Sequence, residues 1–194
     1  MKKTLAWAVV LLAASAVACT NKQGETEAAV FITVDLTLQP GFVDVSVSAP
    51  VQVETINLDS HLKDATAADP QHFQDVTIDN YTVTFRRTDG GTVVPPTQNF
   101  GGGVLVPSGG TATLNNYPVM YASTLSGPPF DQLFPYNGGV DRETGKSEID
   151  TAFDITFYGH TVSGQRVQSS TASGILIFRY GGSSATAGAR TGKK

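Results

Sequence analysis

From Val30 onward the chain alternates. Val30, Ile32, Val34, Leu36 and Leu38 share one side of a period of two; Phe31, Thr33, Asp35 and Thr37 share the other. Successive side chains of a strand point to opposite faces, so this spacing predicts a half-buried β-strand. Pro40-Gly41 marks a turn. Val43, Val45 and Val47 alternate with Asp44, Ser46 and Ser48 and predict a second strand, which Pro50 stops. Residues 51–58 predict a third, less regular strand, and residues 60–74 a loop with one helical turn. Val76 and Ile78 predict a short strand. Tyr81, Val83 and Phe85 alternate with Thr82, Thr84 and Arg86 in another, ended by the turn Asp89-Gly90-Gly91.

Residues 92–110 hold three prolines and the run Gly101-Gly102-Gly103, which predicts a loop with an edge strand near Val104–Val106. Thr111–Leu114 and Pro118–Ala122 read as one strand region interrupted at Asn115-Asn116. Gly127-Pro128-Pro129 opens a short helix carrying Phe130, Leu133 and Phe134, because proline early in a helix loses no hydrogen bond. Residues 136–148 read as a long polar loop. Phe153, Ile155 and Phe157 alternate with Asp154, Thr156 and Tyr158. After the turn Ser163-Gly164, Val167–Ser169 and Gly174–Tyr180 lead back as a strand bulged near 171–174. Eight to nine short strands and no long amphipathic helix predict an all-β chain, a single antiparallel β-sandwich over residues 30–181.

The closing stretch runs from the Phe153–Tyr158 strand through Gly159-His160-Thr161-Val162-Ser163-Gly164-Gln165 and back to Ile175-Leu176-Ile177. It resembles the last hairpin of bacterial immunoglobulin-like domains. The resemblance covers about the last 30 residues of the sandwich and implies an immunoglobulin-like architecture. The antibody pattern of two cysteines around a buried tryptophan is absent.

Before the alternation lies a different pattern. Met1, Lys2 and Lys3 begin it; Leu5–Leu12 form an apolar run; Ala13, Ala14, Ser15, Ala16, Val17 and Ala18 are mostly small. This order is that of a secretory signal peptide over residues 1–18. The apolar run is too short to cross about 30 Å of hydrocarbon, which takes about 20 residues. Ala16-Val17-Ala18-Cys19 resembles the lipobox of bacterial lipoproteins, with Ala16 where that family usually has leucine. The resemblance implies cleavage after Ala18 and acylation of Cys19, with palmitate-like chains. Thr20, where an aspartate would retain such a protein at the inner membrane, implies sorting to an outer membrane. Cys19 is the only cysteine of the chain, so it has no intramolecular disulfide partner. Each buried CH₂ contributes about 0.8 kcal/mol, so several acyl chains would hold the protein durably. Residues 19–29 then read as the lipidated N-terminus and a polar tether, and residues 182–194, small and ending in Lys193-Lys194, as a disordered tail.

Composition narrows the partners. Without Lys2 and Lys3 the chain has 11 basic against 17 acidic side chains. An acidic surface argues against nucleic acid. No nucleophile elbow, zinc-helix motif, Cys-x-x-Cys pair or phosphate-binding loop occurs, and Gly101-Gly102-Gly103 is followed by neither a lysine nor a helix start. No enzyme activity, cofactor or metal is therefore expected. His160, on a strand face shared with Asp154 and Tyr158, is the one candidate for a hydrolase. His61 and His72 flank a loop rich in aspartate but match no compact zinc spacing. Residues 141–150 cluster acids around Gly145, with Arg142 and Lys146 diluting the charge; a salt-bridged turn or a calcium loop would both fit. Tyr117, Tyr121, Phe130, Phe134 and Tyr136 concentrate aromatics mid-chain, either as one end of the core or as an exposed ligand patch. The leading expectation is a bacterial cell-envelope lipoprotein. It would be held in the membrane by acyl chains on Cys19, its non-catalytic sandwich binding or scaffolding another envelope protein. A glycan or cell-wall ligand module is the alternative, and a hydrolase the second alternative.

Overall fold

The computed structural model describes residues 28–38, 41–67 and 72–181. The expected signal peptide, Ala18, Cys19 and the tail 182–194 lie outside the described residues. Nine strands are described: β1 (Val30–Leu38), β2 (Gly41–Asp44), β3 (Val51–Leu62), β4 (Val76–Arg87), β5 (Gln98–Val106), β6 (Thr111–Met120), β7 (Glu148–Thr161), β8 (Arg166–Gln168) and β9 (Ala172–Arg179). Three short 3-10 helices, Ala122–Ser126, Phe130–Leu133 and Pro135–Asn137, lie between β6 and β7.

The strands form two sheets, a sandwich-like all-β fold. One has the order β1-β3-β6; the other has the order β2-β9-β7-β4-β5, with β8 also paired to β7. The sequence predicts a wholly antiparallel sandwich, and the structure corrects this, because β2 pairs parallel with β9. The reason is one of direction. β1 already bridges Ser169 in parallel through Ile32, so β1 and β2 run the same way and the chain crosses between sheets without reversing.

Between the sheets the alternating apolar positions meet. Val53, Ile56 and Leu58 of β3 are buried with Ile78, Tyr81 and Val83 of β4 and Phe153, Ile155 and Phe157 of β7. Tyr81 stands among Phe100, Tyr117 and Phe157, with ring centroids 4.9, 4.9 and 5.1 Å away. Its hydroxyl donates to the Pro118 carbonyl at 2.7 Å, so this buried polar atom is satisfied.

Several strand boundaries differ from the alternation. The second strand stops at Asp44 rather than running to Val47, because the Asp44 carboxylate accepts from Ser46 N–H at 2.9 Å and from its hydroxyl at 2.6 Å. A side chain that bonds its own backbone two residues on makes a turn. β3 continues through Ser60–Leu62, where a loop is predicted, because β1 pairs with it as far as Leu62. β6 passes through Asn115-Asn116 unbroken, with Asn116 at φ 53°, a conformation asparagine tolerates. The glycine run is also strand: Gly101–Gly103 lie inside β5.

Gly102 of that run and Gly159 have one cause. β4 is continuous from Val76 to Arg87 but bulged, its register shifting between Ile78 and Asn80 against both neighbours. The bulge presses the β4 backbone sideways. A Cβ on Gly159 of β7 would lie 2.1 Å from the Thr77 carbonyl oxygen, and one on Gly102 of β5 would lie 2.3 Å from that of Ile78. Backbone cannot yield as a flexible side chain does, so only glycine fits. Gly159→Ala is expected to lower stability by about 1–3 kcal/mol, seen as a reduced urea midpoint with unchanged slope. An unchanged midpoint would contradict this packing.

Candidate functional site

The sandwich has two distinct ends. Ala28 is buried, and the Ala29 carbonyl accepts from Lys63 N–H at 2.8 Å, so the chain enters the fold beside the β3–β4 connection. The β5–β6 and β7–β8 turns lie at this same end. Asp75 ties them together: its carboxylate accepts from Ser108 N–H at 2.7 Å and lies 3.3 Å from His72 Nδ1, and its carbonyl accepts from Val162 N–H at 2.9 Å.

The opposite end is built by residues 121–147. Phe130 is buried against Phe178, with centroids 4.1 Å apart. Behind it lies a cluster of buried charge. The Arg87 guanidinium donates twice to Asp89, through Nε and Nη2 at 2.8 Å each, and once to Asp141 at 2.7 Å. All three side chains are at most 1% exposed. Asp141 also accepts from Gln132 Nε2 at 2.8 Å and from Thr144 Oγ1 at 2.6 Å. Glu143 reaches the other way, accepting from the N–H groups of Thr92 and Val93 and from the Thr92 hydroxyl. Burial alone would raise the pKa of Asp89. The Arg87 bonds and charge, with the N–H groups of Gly91 and Asp150, outweigh it and hold the pKa at about 2. Asp141 is lowered similarly: burial opposes it, and the Thr144 and Arg87 contacts overcome it.

This cluster decides how loop 141–150 is read. It is a salt-bridged turn, with a guanidinium supplied from β4 beside Asp141. No group of three His, Cys, Asp or Glu side chains suited to a metal ion occurs among the described residues. Arg87 and Asp89 are the partners that sequence reasoning missed, since 54 positions separate Arg87 from Asp141 and nothing local signals that contact.

The five aromatics of the expected patch do not form one surface. Tyr117 packs into the Tyr81 cluster. Tyr121 lies over Phe100, and its hydroxyl donates to the Asn99 carbonyl at 2.7 Å. Phe130 is buried. Only Phe134 and Tyr136 touch each other, with centroids 5.4 Å apart, and Tyr180 joins them from beyond β9 at 5.5 Å from Phe134. Tyr136 is 79% exposed, so Phe134, Tyr136 and Tyr180 make a small aromatic platform at the end away from Ala28.

The histidines are scattered. His61 stacks on Phe31 at 5.0 Å on the outer face of the three-stranded sheet, beside the Thr33 hydroxyl at 3.1 Å. His72 sits at the Asp75 junction. His160 Nδ1 lies 2.9 Å from Asp79 Oδ2. The β4 bulge brings Asp79 there, and both side chains are about half exposed. Asp154 shares the outward face of β7 with His160, as expected, but bonds Ser173 and lies 3.9 Å from Arg86 rather than pairing with His160.

No helix among the described residues is long and apolar enough to cross a membrane. Comparison with protein-family models, with curated proteins and with solved structures returns no match, so the geometry of the two ends carries the functional reading by itself.

Proposed function

We propose that the chain is a lipid-anchored protein of the bacterial cell envelope, whose non-catalytic, immunoglobulin-like sandwich binds or scaffolds another envelope protein. The observation that carries this reading is the separation of the two ends. The chain enters the sandwich at Ala28, beside Lys63, while the long connection 121–147 and its exposed Tyr136 lie at the opposite end. A domain tied down at one end and displaying a built loop at the other is suited to presenting a surface. The sequence before Ala28 supports the anchor: a signal-like run ends at Ala18, followed by Cys19, the only cysteine.

Strand order supports the immunoglobulin-like part. Taking β1, β3, β4, β6, β7 and β9 as strands A, B, C, E, F and G gives A-B-E facing G-F-C. That order resembles the immunoglobulin arrangement, with β5 paired to C where a D strand would pair with E. Tyr81, buried mid-C, stands where antibody domains bury tryptophan.

The test is fractionation. A Cys19→Ala variant is expected to leave the membrane pellet, whereas the parent chain stays through carbonate washing. A variant that remains membrane-bound would refute the lipid anchor. Cross-linking in native membranes followed by mass spectrometry then identifies the bound protein. The Phe134–Tyr136–Tyr180 platform favours a second reading, a glycan ligand at the same end, because aromatic faces stack on sugar rings. Glycan-array binding lost in Tyr136→Ala would support it over a protein partner.

A further inference from the structure

We infer that the end of the sandwich holding Ala28 rests on the bilayer itself, with Phe73 and Val162 seated at the headgroup boundary of a zwitterionic membrane. This rests on the proposed acylation of Cys19. Only residues 20–27 separate Cys19 from Ala28. A chain spans at most about 3.6 Å per residue, so Ala28 cannot stand more than roughly 30 Å from the lipidated residue. That span is shorter than β7, whose 14 residues run roughly 46 Å at about 3.3 Å each, so the far end cannot stand on the membrane in place of this one, and the platform of Phe134, Tyr136 and Tyr180 faces away.

The membrane-facing end presents apolar side chains. Phe73 is 53% exposed and Val162 is 58% exposed. Backbone bonds lock their two segments together: Ser163 N–H donates to the Phe73 carbonyl at 3.1 Å, and Val162 N–H to the Asp75 carbonyl at 2.9 Å. The Val162 turn is itself closed, with Thr161 N–H on the Gln165 carbonyl at 2.8 Å and Gly164 N–H on that of Thr161 at 2.8 Å. Two apolar side chains on a rigid mount give up water without an ordering cost. An aromatic ring and a branched aliphatic suit the boundary between headgroups and acyl chains. Charge selects the type of lipid. Lys63 and Asp64 on the same connection are opposite in sign, and the Asp75 carboxylate is turned inward onto Ser108 and His72. No basic cluster is present among the described residues of this end to favour anionic lipid.

The experiment uses the full chain, acylated in cells and reconstituted in phosphatidylcholine vesicles. Acylation blocks the only natural thiol, so a cysteine introduced as Val162→Cys takes an environment-sensitive dye alone; Tyr136→Cys supplies the reference at the other end. The expected result is a blue shift at position 162, with quenching by spin-labelled lipids, and neither at position 136. Phe73→Cys should behave like Val162→Cys. Labelled protein that floats with vesicles but shows equal, unquenched emission at 162 and 136 would overturn the lipid contact while leaving the anchor standing. Protein that fails to float at all would overturn the anchor, and the contact with it.

Discussion

Arg87→Met is expected to cost about 3–5 kcal/mol of folding stability, because it strips the only cation from two buried carboxylates. Asp89 and Asp141 are fully buried, and the Arg87 guanidinium reaches both at once. Their desolvation is offset by those bonds, so removing the guanidinium leaves two uncompensated charges that must protonate or draw in water. Arg87→Lys should also fail to restore the parent stability. An ammonium lacks the planar fork that bonds Asp89 twice and Asp141 once. Denaturant unfolding measures both variants, and a loss below about 1 kcal/mol for Arg87→Met would show that the cluster contributes little.

The same cluster sets an acid limit with a definite sign. Asp89 and Asp141 have depressed pKa values, so their contribution is fully present above the ordinary aspartate value of 3.8. It is lost as pH falls through the folded value, about 2 for Asp89. A shift of that size is worth about 2 kcal/mol for Asp89. Stability should therefore hold down to about pH 4 and fall between there and pH 2, and Arg87→Met should weaken that fall, leaving the part that other hydrogen-bonded carboxylates such as Asp44 supply.

Tyr81→Ala is expected to cost about 3–5 kcal/mol, the usual range for deleting a large buried ring. The ring fills the space between the sheets and touches three other aromatics, and the strands around it cannot close over the gap. Tyr81→Phe keeps the ring and loses only the hydroxyl, so its cost should be nearer 1 kcal/mol. Burial pushes the Tyr81 hydroxyl far above its usual range, so it stays protonated and remains a donor to Pro118 at any ordinary pH. Thermal unfolding followed by circular dichroism separates the two variants, and equal losses would place the ring's worth in its hydroxyl rather than its packing.

Part of this protein was legible one residue at a time. Alternation at Val30–Leu36, at Tyr81–Phe85 and at Phe153–Phe157 marks strands because one face of each is buried, and a period of two is the signature of that arrangement. The short helix after Pro128-Pro129 was legible too, at Phe130–Leu133. Elsewhere local residues misled. Glycines and prolines in 92–110 look like a loop, yet Gly101–Gly103 lie in a strand paired to β4, where the bulge leaves room for only a bare backbone at Gly102. The aromatics from Tyr117 to Tyr136 look like one surface, yet a run of sequence that crosses from strand to turn sends its side chains to different layers.

The sequence alone determined the all-β class, the approximate strands and the chemistry available before Ala28, where Cys19 stands without another thiol. Those follow from periodicity and residue type, which are local. The tertiary structure decided which groups meet: Arg87 with Asp141, Asp79 with His160, Tyr180 with Phe134, and β2 beside β9. Each pair is distant in the chain and joined only by sheet order and register, which depend on how all the strands pack at once. The same order set the Ala28 end against the Tyr136 end, and the proposed membrane side and displayed side both rest on that polarity.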